Sequence, residues 1–316
     1  MITIAGAGVA GLCVALELAR RGHQVTVFEQ GESLELNQSS HLAGGMLAPW
    51  CEKVSAPEDV VRLGAGAAEW WAKVTEVQRT GTLVVAPPRD QAELRQFASR
   101  TEKYEQLGDN RIADLEPDLA GRFSKALFFD QECHLDPRQA RQDLVRQIEE
   151  LGSEVRFGEP APERIDIDCR GGAVDLPELR MVRGEMVMLE CPDVTITRTV
   201  RLLHPRIPIY LVPRGNGIYM LGATMVESDS WRAISVRSAL ELLGAAFALH
   251  PGFGEASVIE TGVGLRPAFP DNLPRIIKRD ETYHLNGFYR HGYLLAPAMA
   301  QQLADQFEQE QMKCAS

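Results

Sequence analysis

Ile2-Thr3-Ile4-Ala5-Gly6-Ala7-Gly8-Val9-Ala10-Gly11 stands at the front of a 316-residue chain, and its reading decides the fold. The first four residues form a short, mostly apolar run of strand type. A glycine-rich turn follows at once, and Val9, Leu12, Cys13, Leu16 and Ala19 then recur at helical spacing. Gly22 stops that helix just behind Arg20 and Arg21, whose charge suits the negative end of the helix dipole. Val25-Thr26-Val27-Phe28 reads as a second strand, with Glu29 at its end, 18 residues after Gly11.

Strand, turn, helix, strand and acid in that order make a dinucleotide-binding fingerprint, and with it an α/β fold of Rossmann type. Gly6 permits the tight turn, Gly8 lets a pyrophosphate approach the backbone, and Gly11 lets helix and strand pack closely. Val9 and Ala10 begin the helix whose first amides face the anion. Glu29, with Gln30 beside it, is placed to accept hydrogen bonds from adenosine ribose hydroxyls. Its charge would repel a 2′-phosphate, which disfavours NADP. A purely structural glycine turn is the alternative, and the fingerprint alone does not separate FAD from NAD.

Composition bounds the rest. With 45% hydrophobic and 24% charged residues the chain is globular, long enough for about two domains. A net charge of −11 argues against nucleic-acid or membrane-surface partners, since both present anionic surfaces. Residues 1 to 16 carry no charge, but basic residues follow rather than precede them, so they read as strand and helix, not as a signal peptide. The six cysteines (Cys13, Cys51, Cys133, Cys169, Cys191, Cys314) form no CxxC pair and have no histidine at metal-ligand spacing. They read as reduced thiols in a cytoplasmic protein that holds no metal.

The block Ser39-Ser40-His41-Leu42-Ala43-Gly44-Gly45-Met46-Leu47-Ala48-Pro49 joins small hydroxyl residues to a glycine pair, so its backbone can lie against a ligand. Here the sequence resembles the D-amino-acid oxidase superfamily of FAD enzymes, most closely its glycine oxidase branch of the thiamine pathway. His134-Leu135-Asp136-Pro137-Arg138, Tyr210-Leu211-Val212-Pro213-Arg214, Leu221-Gly222-Ala223-Thr224-Met225, Gly264-Leu265-Arg266-Pro267 and the run Gly287 to Pro297 are similar to further motifs of that family, in its order. Glu58 to Lys125 carries no recognisable signature. The family's small-x-Gly-x-Trp segment is replaced by Ile167-Asp168-Cys169-Arg170-Gly171-Gly172, where Asp168 and Arg170 either pair or stand near the cofactor.

The resemblance implies two interleaved domains. An FAD domain takes residues 1–55, 130–180 and 255–316, and a substrate domain on an antiparallel sheet takes 56–129 and 181–254. Local patterns in the substrate domain give strands at Thr82–Ala86, Glu185–Leu189 and Gly217–Leu221, and helices at Gln91–Leu107 and Val236–Leu249. The pair Trp70-Trp71 reads as packing on a helix rather than an aromatic substrate box.

The resemblance also assigns roles. Arg266 binds the substrate carboxylate through a planar guanidinium fork. Tyr210 donates its hydroxyl to the same carboxylate, and Arg290 is a second cation beside the flavin. Met46 and Met225 line the pocket. Ser39, Ser40, Gly44, Gly45 and Met46 wrap the pyrophosphate and flavin, as do Arg290, His291, Gly292, Tyr293 and Leu294 at the start of a C-terminal helix. No cysteine or histidine stands at a known attachment motif, so the FAD is expected to be non-covalent. The implied reaction is oxidation of glycine or a similar small amino acid or amine to an imine, with O2 reduced to H2O2. Sarcosine, a D-amino acid or an N-substituted glycine remain open as substrates, as do a dehydrogenase and a flavin-binding partner without turnover. A homo-oligomer stays open as well.

Overall fold

The computed structural model describes residues 1–34, 39–204 and 208–315, apart from the side chains of residues 314 and 315. The fold is α/β and has two principal sheets. The first runs in the order Arg275–Arg279, Thr282–Asn286, Ile167–Asp168, Ile2–Ala5, Val25–Glu29, Glu154–Phe157. Its neighbours pair in parallel except for the hairpin Arg275–Arg279/Thr282–Asn286. Ile2–Ala5 sits in the middle, and Ile2, Ile4 and Ala5 are buried, as are Val25 and Val27 on the next strand. Parallel strands covered on both faces become continuous apolar runs. The helix Val9–Arg20 covers one face and packs on the long C-terminal helix Gly292–Ala315.

The second sheet is mainly antiparallel, with nine strands in the order Val226–Glu227, Arg180–Glu190, Ile218–Gly222, Ile209–Gly215, Thr199–Leu202, Thr82–Val85, Lys125–Phe129, Glu105–Gly108, and with Ser257–Ala268 alongside Arg180–Glu190. Thr82–Val85 and Thr199–Leu202 are its parallel pair. The helix Val236–Leu249 begins at the Ser235 side chain, which accepts from the Ser238 amide, and buries Leu242, Ala246 and Leu249 over the sheet. A short ribbon, Met46–Leu47 against Cys133–His134, runs between the two bodies.

Two expectations need correction. The apolar spacing that suggested one helix over Gln91–Leu107 ends as a helix at Arg100. Lys103 takes a left-handed φ of +62°, and Glu105–Gly108 becomes a strand paired with Lys125–Phe129, so tertiary pairing overrides a weak helical pattern. Second, Ser257–Ala268, expected with the first body, belongs to the second sheet, paired with Arg180–Glu190 along its length across one register shift. Trp70 and Trp71 pack edge-to-face at 5.0 Å, and Trp71 Nε1 donates to the Tyr293 carbonyl at 2.7 Å, which places both in the core. Cys13, Cys51, Cys133, Cys169 and Cys191 are free and buried. The Cys314 side chain lies outside the described residues. Among the described residues no helix is long and apolar enough to cross a membrane.

Candidate active site

One cavity of about 800 Å³ is lined by residues of both sheets. The glycine turn forms part of its wall. Gly6 has φ +97°, and a Cβ there would lie 2.9 Å from the Cys169 carbonyl oxygen. A Cβ on Gly11 would stand 2.0 Å from the Gly6 carbonyl oxygen, so this glycine serves the packing of helix on turn and does not itself face the cavity. Glu29 Oε2 accepts from the Ala7 amide at 2.8 Å and Oε1 from the Gly31 amide at 3.0 Å. Each oxygen keeps a lone pair for a ribose hydroxyl.

Gly8, Val9, Ala10, Gln30, Ser39, Ser40, Gly44, Gly45 and Met46 line the same space. Ser40 Oγ accepts from the Val9 amide at 3.1 Å, and Ser39 Oγ donates to the Leu265 carbonyl at 2.6 Å. Gly45 has φ +69°, and a Cβ on it would meet the Leu135 carbonyl oxygen at 2.3 Å. Arg214 donates to the carbonyls of Leu135, Ala43 and Gly44, which holds this segment in place, and burial pulls its pKa down to about 10. Asp168 and Arg170 pair at 2.6 Å, and Arg170 reaches the cavity beside Gly6. Small residues, first-turn helix amides and the Glu29 carboxylate fit an extended dinucleotide.

Toward the second sheet the lining turns cationic. Arg266 stands opposite Val182 in the strand pairing, and its guanidinium lies over Gly184. Nη1 donates to the Thr224 carbonyl at 3.0 Å, and among the described residues no carboxylate pairs with it. Burial lowers its pKa to about 10, so it stays protonated at neutral pH. A half-buried guanidinium with no carboxylate partner is an anion site.

Arg290 and Tyr210 line the cavity as expected, and both also contact Glu52. This carboxylate, at the end of the short helix Pro49–Glu52, is 4% exposed and lines the cavity. Its Oε2 lies 2.6 Å from Arg290 Nη2 and 2.8 Å from His291 Nε2. Its Oε1 accepts from the Tyr210 hydroxyl at 3.0 Å and lies 3.6 Å from Arg201 Nη1. Burial alone would push the Glu52 carboxyl up, but Arg290, His291 and Arg201 hold it well below the usual range. Burial pushes the Tyr210 hydroxyl up, so it stays a donor. Arg201 stacks between the rings of Tyr210 and Phe97, at 4.9 and 5.0 Å.

Met46, Met225, Gly292 and Tyr293 also line the cavity, and Met225 is 45% exposed. The Tyr293 hydroxyl donates toward the carbonyls of Ser40 and Pro137. Two residues expected at the flavin face elsewhere. His291 is buried behind the lining on Glu52, and Leu294 packs into the core against Gly64. Glu52 and Arg201 are the site residues that sequence reasoning missed. The one signal was a lone acid closing the apolar run Ala48-Pro49-Trp50-Cys51 directly after the flavin segment.

Comparison with known proteins identifies the family. The FAD-dependent oxidoreductase family model, DAO, matches residues 1–306. The chain is 52% identical over 318 residues to a thiamine biosynthesis oxidoreductase, ThiO, of Rhizobium etli, covering 98% of this chain and 97% of the relative. It is 24% identical over 346 residues to a glycine oxidase of Bacillus licheniformis, covering 96% and 91%. In fold it matches the crystal structure of glycine oxidase from Geobacillus kaustophilus, with a TM-score of 0.81, 23% identity and coverage of 98% and 94%. The chain belongs to the DAO family of FAD-dependent oxidoreductases, and FAD is its cofactor.

Proposed function

We propose that this enzyme oxidises glycine or a similarly small amino acid at its carbon–nitrogen bond, and that it does so in the cytoplasm as a step of thiamine biosynthesis. The observation that carries the reading is Arg266: a half-buried guanidinium, paired with no carboxylate among the described residues, in the same cavity as the dinucleotide cradle. When bound, FAD supplies the acceptor for the two electrons that leave the substrate, and O2 takes them up as H2O2.

The chain's own residues bind and orient. Gly6, Gly8, Val9, Ala10 and Glu29 would hold the adenosine and pyrophosphate, and Ser39, Ser40, Gly44, Gly45 and Met46 the stretch beyond them. Arg266 grips the substrate carboxylate through its fork, which fixes the rotation of the molecule and so the direction of its Cα–H. The helix Gly292–Ala315 directs the amides of its first turn at the cavity, where the positive end of its dipole favours developing negative charge. Met46 and Met225 supply an apolar, water-shedding wall. FAD-loaded protein, made anaerobic and mixed with glycine, sarcosine or D-alanine, is expected to lose its flavin absorption. Retained colour with all three would dismiss the small-amino-acid reading.

A further inference from the structure

Four arginines line this cavity: Arg170, paired with Asp168 beside the glycine turn, and Arg201, Arg266 and Arg290 toward the second sheet, where a substrate would dock. A small substrate with one carboxylate would find more than one cation of equal charge, and docking on the wrong one would turn its Cα away from the reacting position. The structure assigns Glu52 as the positioning residue that decides among them: it occupies Arg290 and the Tyr210 hydroxyl from within, leaving Arg266 as the acceptor of the substrate carboxylate. This inference rests on the reading of Arg266 as the carboxylate anchor.

The contacts are divided to that effect. Both Glu52 oxygens are used, Oε2 by Arg290 and His291 and Oε1 by Tyr210, with Arg201 beside it. Other Arg290 donors are engaged too, Nη2 also reaching Ser55 Oγ at 2.8 Å, Nε facing His291 Nε2 at 3.3 Å and Nη1 approaching Met225 Sδ at 3.6 Å. Arg266, by contrast, donates to one backbone carbonyl. A substrate carboxylate approaching Arg290 must displace an internal, charge-assisted pair, whereas one approaching Arg266 displaces none. Because Glu52, Arg290 and Tyr210 all line the cavity, loss of the Glu52 charge frees the donors of the other two for a ligand.

Glu52→Gln keeps the shape and an acceptor for Tyr210 but removes the charge. In FAD-loaded protein we expect this variant to bind acetate, followed by the change in flavin absorbance, about tenfold more tightly than wild type, since Arg290 becomes a second anion site. Its kcat on glycine should fall about tenfold or more while KM does not rise, the mark of substrate held in the wrong register. Glu52→Gln/Arg290→Gln should return acetate affinity toward the wild-type value. A merely structural Glu52 would instead weaken acetate and glycine together, and that result overturns the proposal. Should Glu52→Gln fail to yield folded holoprotein, Glu52→Asp, with a shorter reach to Arg290, should tighten acetate to a smaller degree; unchanged or weakened binding there overturns it equally. Acetate titration needs no turnover. Wild type that binds acetate but is not reduced by glycine therefore sinks the substrate reading alone, and wild type that binds no acetate sinks both.

Discussion

Arg266 and Gly184 face each other across neighbouring antiparallel strands so closely that a Cβ on Gly184 would stand 2.2 Å from Arg266 Cζ and Nη2. The glycine is what lets the guanidinium lie flat on the strand and reach the Thr224 carbonyl. Gly184→Ala should therefore fold and hold FAD normally, because the displaced atoms are the far end of a flexible side chain. Moving the fork by about 1 Å should lower kcat/KM about a hundredfold. Steady-state kinetics beside the flavin-to-protein absorbance ratio checks both halves, and undiminished kcat/KM would detach Arg266 from the substrate.

Arg266 itself gives the larger effect. Arg266→Ala removes the cation and with it both binding energy and orientation, so kcat/KM for the substrate should drop by several orders of magnitude. Arg266→Lys should recover little, since an ammonium is a point charge without the two-pronged fork. Flavin content should stay normal in both. Stopped-flow reduction with glycine, sarcosine and D-alanine measures this, and near-normal reduction in Arg266→Ala would overturn the assignment.

At the other end of the cavity, Glu29 accepts from two backbone amides and retains lone pairs for a ribose. Glu29→Ala should weaken FAD binding by about tenfold or more, since hydrogen bonds to a charged acceptor contribute about 1.5 to 3 kcal/mol each. Equilibrium titration of apoprotein with FAD, followed by fluorescence, reads the change. Acid precipitation of the wild type should release all its yellow colour to the supernatant, as non-covalent FAD requires, and colour retained in the pellet would show a covalent link.

These residues differ in how far sequence alone could reach them. Gly6, Gly8, Gly11 and Glu29 lie within one strand–turn–helix–strand unit, where each has a local conformational or chemical reason to be what it is. Arg266 was legible through its motif, but the Gly184 bed beneath it was not, because strand register sets that contact. Glu52 was invisible for the same kind of reason. Its hydrogen-bonded partner Tyr210 is 158 residues away and His291 is 239 residues away. No local pattern announces a carboxylate whose role is made by side chains from three distant segments. The helix expected over Gln91–Leu107 shows the complementary failure. Its spacing fits a helix, but the partner strand Lys125–Phe129 takes Glu105–Gly108 into the sheet.

Behind Glu52 lies a second buried carboxyl that titrates in the opposite sense. Glu132 is fully buried, its Oε1 accepts from the Cys51 amide at 2.7 Å, and among the described residues Oε2 has no hydrogen-bond partner. Burial raises its pKa from 4.5 to about 7. In the unfolded chain the same group releases its proton near 4.5, so between these values the folded state binds more protons. Stability should consequently fall as pH rises from about 4.5 to 7 and level off above, a loss of roughly 3 kcal/mol from this group. Buried His134, with its pKa lowered to about 4, acts with the opposite slope, since the folded state there binds fewer protons than the unfolded one below pH 6.5. Glu132→Gln removes the first contribution and keeps the second. The stability of the variant relative to wild type should thus increase from pH 5 to pH 8, as the wild type alone must ionise Glu132. Urea unfolding of both proteins at the two pH values measures the difference, and parallel profiles would mean that Glu132 is ionised in the fold throughout.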